Sequence, residues 1–337
     1  MEDHTGMGKL QIDFACLPYD RTRALQDRSV QPEGIDLTYI PIDSPEEVFW
    51  RMLMHREFDA AEMSLGSYVA GVARGDLALI AIPAFVSRMF RHSAAYIHVG
   101  SGIRRPEDLT GKRVGVPEYQ MTATVWLRGI LQDDYGVRPG DVHWYAGGQE
   151  HPGRREKVPL ALPPEVRIER IPEDRTLSSM LDAGEIDALF AARMPSPFVD
   201  RSPRVRRLFP DYREVEAEYF RRTRIFPIMH TVAIRRDLYA RHPWIAQSLY
   251  KALCEAKERC AISIYDARAL RVMLPWAIDD YEQARALMGD DFWPYGLEAN
   301  RKTLETFVRY ACEQGVAARR VVMEELFAKE TLDTFRT

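Results

Sequence analysis

Strand-like and helix-like segments alternate over the first 235 residues, and this alternation constrains the fold more than any other feature of the sequence. Leu10 to Cys16 alternates loosely at period two and predicts a strand, while Ser44, Pro45 and Glu47 predict a capped helix start. Further strands are expected over 35–42, 58–63, 77–86, 113–116, 142–145, 166–171, 186–191 and 228–234. Further helices are expected over 122–135, 176–183, 243–266, 268–274, 297–314 and 320–328. Such alternation favours an α/β fold with a mostly parallel sheet.

The pattern occurs in two blocks, which predicts two lobes. A chain of 337 residues exceeds what one hydrophobic core usually holds. Glu57–Ala60 (EFDA) and Glu185–Ala188 (EIDA) each follow a helix and open a strand, although a four-residue match can also arise by chance. We predict that residues 9–98 and 228–337 form lobe 1 with a helical C-terminal tail. Residues 99–227 form lobe 2, with a ligand cleft between the lobes.

Composition excludes several classes of protein. The 46 basic and 50 acidic residues give a net charge of −4, which argues against nucleic acid as the main partner. No apolar run is long enough to span a membrane. The four cysteines show no zinc-ligand spacing, so no metal site is expected. Residues 1–9 lack the apolar core of a secretory signal, which predicts a cytoplasmic protein. A homo-oligomer is compatible with the sequence.

Five sequence runs carry a resemblance to a known family. They are VQPEGIDLTY (30–39), EFDAAEMSLGSY (57–68), SRMFRHS (87–93), GKRVGVPEYQMTATVW (111–126) and IFPIMH (225–230). In this order they resemble the 4,5-dihydroxyphthalate decarboxylases, over residues 9 to 270. The resemblance implies a two-lobed type II periplasmic-binding-protein-like fold. It also implies non-oxidative loss of one ring carboxylate from an aromatic dicarboxylate, giving protocatechuate and CO2, with no organic cofactor.

The segment Ser87–Ser93 is the strongest candidate site cluster. Arg88 could bind a substrate carboxylate through two parallel hydrogen bonds, and His92 could transfer a proton near neutral pH. The alternative is a solvated basic strand at a hinge, since arginine outnumbers lysine by 39 to 7 in this chain.

A second candidate lies where a strand turns into a helix. Glu118, Tyr119 and Gln120 precede the helix over 122–135, and the free N–H groups at its start would favour a substrate carboxylate. Glu118 could also act as an acid or base, or could simply favour the helix dipole.

The remaining candidates follow predicted strands and could equally be structural. Glu62 and Ser64 end one strand, and His230 lies where the chain re-enters lobe 1. Arg193 and Arg21 could clamp a carboxylate, with Tyr19 beside Arg21. The mechanistic expectation is that His92 or Glu118 protonates the ring carbon, Glu62 or His230 acts as base, and Arg88 and Arg193 hold the carboxylates.

Other functions stay open on the sequence. A solute-binding protein for an aromatic acid or other small anion would share the fold. A decarboxylase or lyase for another hydroxylated benzoate is a second alternative. The thiamine-pyrimidine synthase branch of the fold is disfavoured, because its cysteine-rich motif has no counterpart here. Residues 147–164 are too long for an ordinary loop and are either a surface insertion or a lid.

Overall fold

The structure, a computed structural model, describes residues 8–332, so the expectations for residues 1–7 and 333–337 lie outside it. The strands are β1 (Leu10–Cys16), β2 (Ile35–Pro41), β3 (Ala60–Ser64), β4 (Leu79–Arg88), β5 (Ala95–His98), β6 (Arg113–Val116), β7 (His143–Ala146), β8 (Arg167–Arg170), β9 (Ala188–Phe190), β10 (Val205–Arg207) and β11 (Ile228–Arg235). The helices are α1 (Arg23–Gln26), α2 (Pro45–Trp50), α3 (Leu65–Arg74), α4 (Thr122–Tyr135), α5 (Leu177–Ala183), α6 (Ser196–Val199), α7 (Tyr212–Thr223), α8 (Arg236–Arg241), α9 (Trp244–Ile264), α10 (Ala277–Met288) and α11 (Arg301–Glu313).

The first lobe is built on a five-stranded sheet with the order β2-β1-β3-β11-β4. β1 pairs in parallel with β2 and β3, whereas β11 runs antiparallel between β3 and β4. β3 is buried at every position, as expected for a strand covered on both faces. Because β11 comes late in the chain, the sheet of the first lobe is completed by residues that follow the whole second lobe in sequence.

The second lobe contains a six-stranded sheet with the order β10-β5-β9-β6-β7-β8. The predicted boundary put residues 95–98 in lobe 1, but β5 pairs with β9 and β10 of the second sheet. The chain therefore crosses between lobes over 89–94 and returns over 224–227. The two crossings touch, since the Met89 N–H donates to the Pro227 carbonyl at 3.1 Å.

Asp59 and Asp187 occupy equivalent places in the two lobes. The Asp59 carboxylate accepts from the Asp13 N–H at 3.1 Å, and the Asp187 carboxylate accepts from the Arg113 N–H at 2.9 Å. Each aspartate also donates its own N–H to the carbonyl of that same residue, Asp13 or Arg113. The repeated EFDA and EIDA segments therefore form the same pair of hydrogen bonds, to Asp13 of β1 in lobe 1 and to Arg113 of β6 in lobe 2.

The helical tail differs from the expectation that it packs on lobe 1 alone. α9 packs on β4 and α1 of lobe 1, but α11 packs on α3 of lobe 1 and α4 of lobe 2. The helices expected over 268–274 and 320–328 are wrong. The first segment is a run of exposed turns before α10, and the second contains only a short 3-10 turn over 323–325.

The sequence patterns missed helices α1, α3, α6, α7, α8 and α10. Nine of the ten residues of α3 are buried, so this helix shows no polar face for a periodicity argument to detect.

Within residues 8–332, no helix combines the length and the apolar character needed to cross a bilayer.

Candidate active site

A cavity of about 240 Å³ lies between the two lobes. Both lobes and the crossing segments supply its polar and charged lining. These residues are Tyr19, Glu46, Ser64, Ser67, Ser87, Arg91, Glu118, Thr122, Arg154, Lys157, Arg193 and His230. A cleft of this size and polarity suits one small anionic molecule.

The lobes touch at the N-terminus of α3. Ser64 Oγ lies 2.9 Å from Thr122 Oγ1, and the Gly66 N–H donates to the same threonine oxygen at 2.9 Å. A Cβ on Gly66 would stand 2.6 Å from the Gln120 carbonyl oxygen, so only glycine allows this approach. The two lobes are therefore in direct contact at this point.

Glu62, His230 and Tyr19 form a hydrogen-bonded group beside the cavity. β3 and β11 are antiparallel with Ser64 opposite His230, and Glu62 lies on the same face of β3 two residues earlier. His230 Nδ1 is 2.6 Å from Glu62 Oε1, and the Tyr19 hydroxyl donates to the same oxygen at 2.7 Å. The Phe49 ring packs edge-on against the imidazole at 4.8 Å. With Nδ1 bound to Glu62, Nε2 is the ring nitrogen left for a ligand.

The partners of Glu62 determine its ionisation. The side chain is fully buried, and burial alone would raise its pKa. Hydrogen bonds from His230, from Tyr19 and from the Leu17 N–H outweigh burial and hold the pKa of Glu62 below its usual range. Burial and the adjacent carboxylate raise the pKa of Tyr19, so Tyr19 stays a hydroxyl donor. Glu62 is therefore a buried carboxylate that can stabilise a proton on His230.

Glu118 lies across the cavity with two cations bound to it. Its Oε1 accepts from Arg154 Nε at 2.6 Å and from Lys157 Nζ at 2.5 Å, and its Oε2 accepts from the Gln120 amide at 3.0 Å. Arg154 and Lys157 come from the long 147–164 loop, so this loop contributes directly to the cavity wall. The hydrogen-bond pattern makes Glu118 an acceptor for both cations.

Glu46 connects the lobes at the mouth of the cavity. It lies in the first turn of α2 and approaches Arg193 at 3.1 Å and Arg154 at 3.8 Å, both from lobe 2. The predicted capping box at this helix is wrong: Ser44 is the N-cap residue, but its hydroxyl donates to Glu46 rather than capping a backbone N–H. Glu46 thereby joins a cationic network that spans the cleft.

Arg91, rather than Arg88, faces the cavity. Arg91 is 6% exposed, and within residues 8–332 its guanidinium forms no ion pair; its Nε lies 3.0 Å from Met229 Sδ. Burial lowers its pKa to about 10, so the group remains cationic at neutral pH. Arg88 points the other way and donates to the carbonyls of Phe226 and Pro294. Arg88 therefore ties β4 to the chain crossing and the tail.

Tyr119 and Gln120 do not line the cavity. Their N–H groups donate to the Glu156 carboxylate, whereas Thr122 and Ala123, the first two residues of α4, line the cavity as expected of the helix start. The Tyr119 ring packs 3.7 Å from the buried Arg128 guanidinium, and the Gln120 amide binds Glu118. These two residues support the turn that carries Glu118.

His92 and Arg21 also lie outside the cavity. His92 is 1% exposed among Phe209 and Tyr219, neither ring nitrogen has a hydrogen-bond partner among the described residues, and burial lowers its pKa to about 4. Arg21 donates to the Val86 carbonyl and stacks on Tyr19. Of the predicted site residues, the structure brings together Tyr19, Glu62, Ser64, Glu118, Arg193 and His230.

Four charged residues of the cavity were not among the predicted site residues: Glu46, Arg91, Arg154 and Lys157. Arg91 lay in the favoured Ser87–Ser93 segment. Arg154 and Lys157 lay in the 147–164 segment, whose length suggested a lid or a surface insertion. Because arginine is abundant in this chain, no single arginine stood out in the sequence as a site residue. In the described part of the chain, no three His, Cys, Asp or Glu side chains converge in a way that could hold a metal ion. The cation-rich lining fits a carboxylate ligand.

Two curated relatives share the sequence over much of its length, while no protein-family model matches it. The 4,5-dihydroxyphthalate decarboxylase of Comamonas testosteroni is 42% identical over 330 residues, which cover 98% of this chain and 100% of the relative. That of Pseudomonas putida is 44% identical over 215 residues, or 64% of this chain and 83% of the relative.

Solved structures agree on the fold. The alkanesulfonate-binding protein SsuA from Xanthomonas axonopodis pv. citri has a TM-score of 0.54 at 12% identity, covering 96% of this chain and 99% of that chain. The periplasmic sulfonate-binding protein SsuA from Methylobacillus flagellatus KT has a TM-score of 0.52 at 14% identity, covering 96% and 92%. The fold is thus two-lobed and periplasmic-binding-protein-like, and by its sequence the chain belongs to the 4,5-dihydroxyphthalate decarboxylase family.

Proposed function

We propose that this chain decarboxylates 4,5-dihydroxyphthalate to protocatechuate and CO2, without a cofactor and without a change of oxidation state. The observation that carries the proposal is the buried Glu62–His230 pair, which opens onto a cavity lined by cations from both lobes. The relatives named 4,5-dihydroxyphthalate decarboxylase support the choice of substrate. The partner is a small aromatic dicarboxylate rather than a macromolecule.

The chemistry requires charge to be moved without forming an aryl anion. Each carboxylate of the substrate is para to one hydroxyl group. A proton is added to the ring carbon that bears the leaving carboxylate, while the para hydroxyl gives its proton to a base, and the product of this step is a dienone. The carbon–carboxylate bond then breaks, CO2 leaves, and the bonding electrons restore the aromatic ring. The oxygen that lost its proton takes one back. The net reaction consumes one proton and the carboxylate.

His230 is suited to the hydroxyl side of this reaction. Nε2 can accept the proton, which makes the ring an imidazolium. The ionised Glu62, bound at Nδ1, stabilises that positive charge. Glu62 is a positioning residue, because its oxygens are occupied by His230, Tyr19 and the Leu17 N–H.

Lys157 is suited to protonate the ring carbon. Its ammonium lines the cavity and is held by Glu118, whose carboxylate accepts rather than donates. This replaces the expectation that His92 or Glu118 supplies the proton, since His92 lies outside the cavity and Glu118 is bound by cationic donors.

Arg91 and Arg193 are suited to hold the carboxylates. A guanidinium binds a carboxylate through two parallel hydrogen bonds, and Arg91 has no competing ion pair within residues 8–332. Arg193 is bound to Glu46, so the substrate has to compete with Glu46 for it. Preorganised charge of this kind is usually the largest contribution to catalysis.

The test is to incubate the purified protein, treated with a chelator, with 4,5-dihydroxyphthalate and to measure protocatechuate by chromatography. We expect turnover in the wild type and a loss of ~10²–10⁴-fold in His230→Gln and in Lys157→Ala. A small primary amine should restore part of the Lys157→Ala activity. Activity that appears only after divalent metal is added would overturn the cofactor-independent mechanism. Stabilisation by substrate without turnover under either condition would favour a solute-binding role.

A cytoplasmic location is also part of the proposal. The four cysteines are free, and Cys16 is buried beside Glu62. Free thiols are typical of a reducing compartment. Cell fractionation with an antibody against the chain would test this location directly, and recovery in the periplasmic fraction would contradict it.

A further inference from the structure

The 154–157 segment and the turn over 118–120 hold each other by reciprocal contacts. Arg154 and Lys157 donate to the Glu118 carboxylate, while the N–H groups of Tyr119 and Gln120 donate to the Glu156 carboxylate. Each segment therefore offers one carboxylate to the other. Of the two carboxylates, Glu118 lines the cavity and Glu156 does not.

The surroundings of this segment show why Glu156 matters. Residues 150–157 have no helix or strand of their own, so side-chain contacts must hold them. Further along, the loop is anchored by the buried Val158 and by the Ala161 N–H, which donates to the Gly315 carbonyl at 3.0 Å. Among the described residues, the other side-chain hydrogen bonds between the 154–157 segment and the 118–120 turn come from Arg154 and Lys157, the cations that a substrate carboxylate would attract.

We infer that Glu156 is a positioning residue for Lys157 and Arg154: it fixes the loop to the backbone of the 118–120 turn so that both cations stay at the cavity when a dicarboxylate binds. The inference rests on the proposed function, and it adds a role for a carboxylate that never touches substrate. The N–H groups used belong to the turn that precedes α4.

Replacing Glu156 with glutamine should loosen the loop. Glutamine in place of Glu156 keeps one acceptor oxygen but has no charge, and it puts an N–H donor where the second acceptor was. The Gln120 N–H then loses its partner and the loop is released. Lys157 would sample positions farther from the ring carbon, and a misplacement of about 1 Å can cost on the order of 10²-fold in rate.

The first measurement does not depend on turnover. Limited digestion with trypsin reports loop release, because Arg154, Arg155 and Lys157 are three cleavage sites within four residues. We expect Glu156→Gln to be cut there at least about 10-fold faster than wild type. The matched control is Glu173→Gln, since Glu173 is 80% exposed and pairs only loosely with Arg155 at 3.7 Å. Equal cleavage of wild type and Glu156→Gln would overturn the inference.

The second measurement is kinetic. We expect kcat of Glu156→Gln to fall about 10- to 100-fold, with a smaller change in KM. If Glu156 acts through Lys157, then adding Glu156→Gln to Lys157→Ala should lower kcat little further. Fully additive losses would contradict that route.

Two safeguards separate the possible failures. Glu156→Asp keeps the charge and should fall between wild type and Glu156→Gln in both assays; an Asp variant as loose as the Gln variant, with an unchanged melting temperature, would argue against the charge as the cause. If the wild type shows no decarboxylation at all, the proposed function fails, whereas the protease result still decides whether Glu156 holds the loop.

Discussion

Nδ1 of His230 lies 2.6 Å from Oε1 of Glu62, although the two residues are 168 positions apart in the chain. Antiparallel pairing of β3 with β11 creates this contact, and it forms only when the chain has returned from the second lobe. The fully buried carboxylate has no lysine or arginine partner among the described residues. Everything proposed for proton transfer at the hydroxyl side depends on this pair.

Glu62→Gln should lower kcat by ~10²–10⁴-fold, because an uncharged amide cannot stabilise the imidazolium of His230. Initial rates of protocatechuate formation measure this effect. The control is Glu57→Gln on the same segment, since Glu57 is 43% exposed and pairs with Arg51 on the surface. Near wild-type rates in Glu62→Gln would remove the pair from the mechanism.

Arg91→Met and Arg88→Met should behave in opposite ways. Loss of the charged hydrogen bonds from Arg91 to a substrate carboxylate, about 1.5–3 kcal/mol, should raise KM about 10- to 150-fold with little loss of stability. Arg88→Met should instead lower the free energy of unfolding by a few kcal/mol, because the Phe226 carbonyl and the Asn300 side-chain oxygen lose the donor that Arg88 supplies. Steady-state kinetics and urea unfolding separate the two. A normal KM in Arg91→Met would mean that another cation holds the carboxylate.

Glu216→Gln should stabilise the protein above neutral pH. Burial raises the pKa of Glu216 from 4.5 to about 7, so the folded state disfavours its ionised form. Stability is then fully present below pH 4.5 and is lost as the pH rises towards 7. Glutamine keeps an acceptor for the Ser93 N–H, which Glu216 Oε1 binds at 3.1 Å, and carries no charge.

The expected gain at pH 8 is on the order of 3 kcal/mol or less, and it should vanish near pH 4.5. Urea unfolding of both proteins between pH 4.5 and 8 measures it. The neighbouring His92 has a lowered pKa of about 4 and loses stability in the opposite direction, as pH falls. Its Nδ1 lies 3.9 Å from Glu216 Oε1, so the decisive values are those at pH 6.5 and above, where His92 is uncharged in the folded protein. A gain that is the same at every pH would contradict ionisation of Glu216 as its cause.

Glu46→Gln should favour an open cleft in the absence of ligand. Arg193 and Arg154 both approach Glu46 from the other lobe, and these cations hold the pKa of Glu46 below its usual range although burial opposes them. We expect a larger radius of gyration by X-ray scattering without substrate, and no difference with substrate bound. High salt should mimic the variant in wild type, since partly exposed ion pairs are screened. Identical scattering of the two free proteins would show that Glu46 does not hold the lobes.

Local patterns were sufficient to predict many of the secondary-structure elements. The expected strand over residues 10–16 and the helix over 122–135 have the observed bounds of β1 and α4, because apolar periodicity and Gly136 at the helix end are local signals. The Asp59 and Asp187 repeat was also visible in the sequence, and the structure gives it matching hydrogen bonds.

Local patterns could not determine which member of a charged cluster faces the cleft. Arg88 and Arg91 are three residues apart in one run, yet the chain leaves β4 between them, so they point to different surroundings. For the same reason, the sequence could not show that His92, whose imidazole is suited to proton transfer, is buried among aromatic rings outside the cavity.

The sequence by itself determined the two-lobed α/β plan and the family, because periodicity and long ordered motifs are properties of the chain. The site was decided by tertiary structure. Glu62 meets His230 across a sheet completed by a strand far along the chain, and the 147–164 loop brings Lys157 to Glu118 and Glu156 to the turn before α4. These contacts join residues far apart in the chain. Burial and long-range pairing set the charges of these residues, and both exist only in the packed structure.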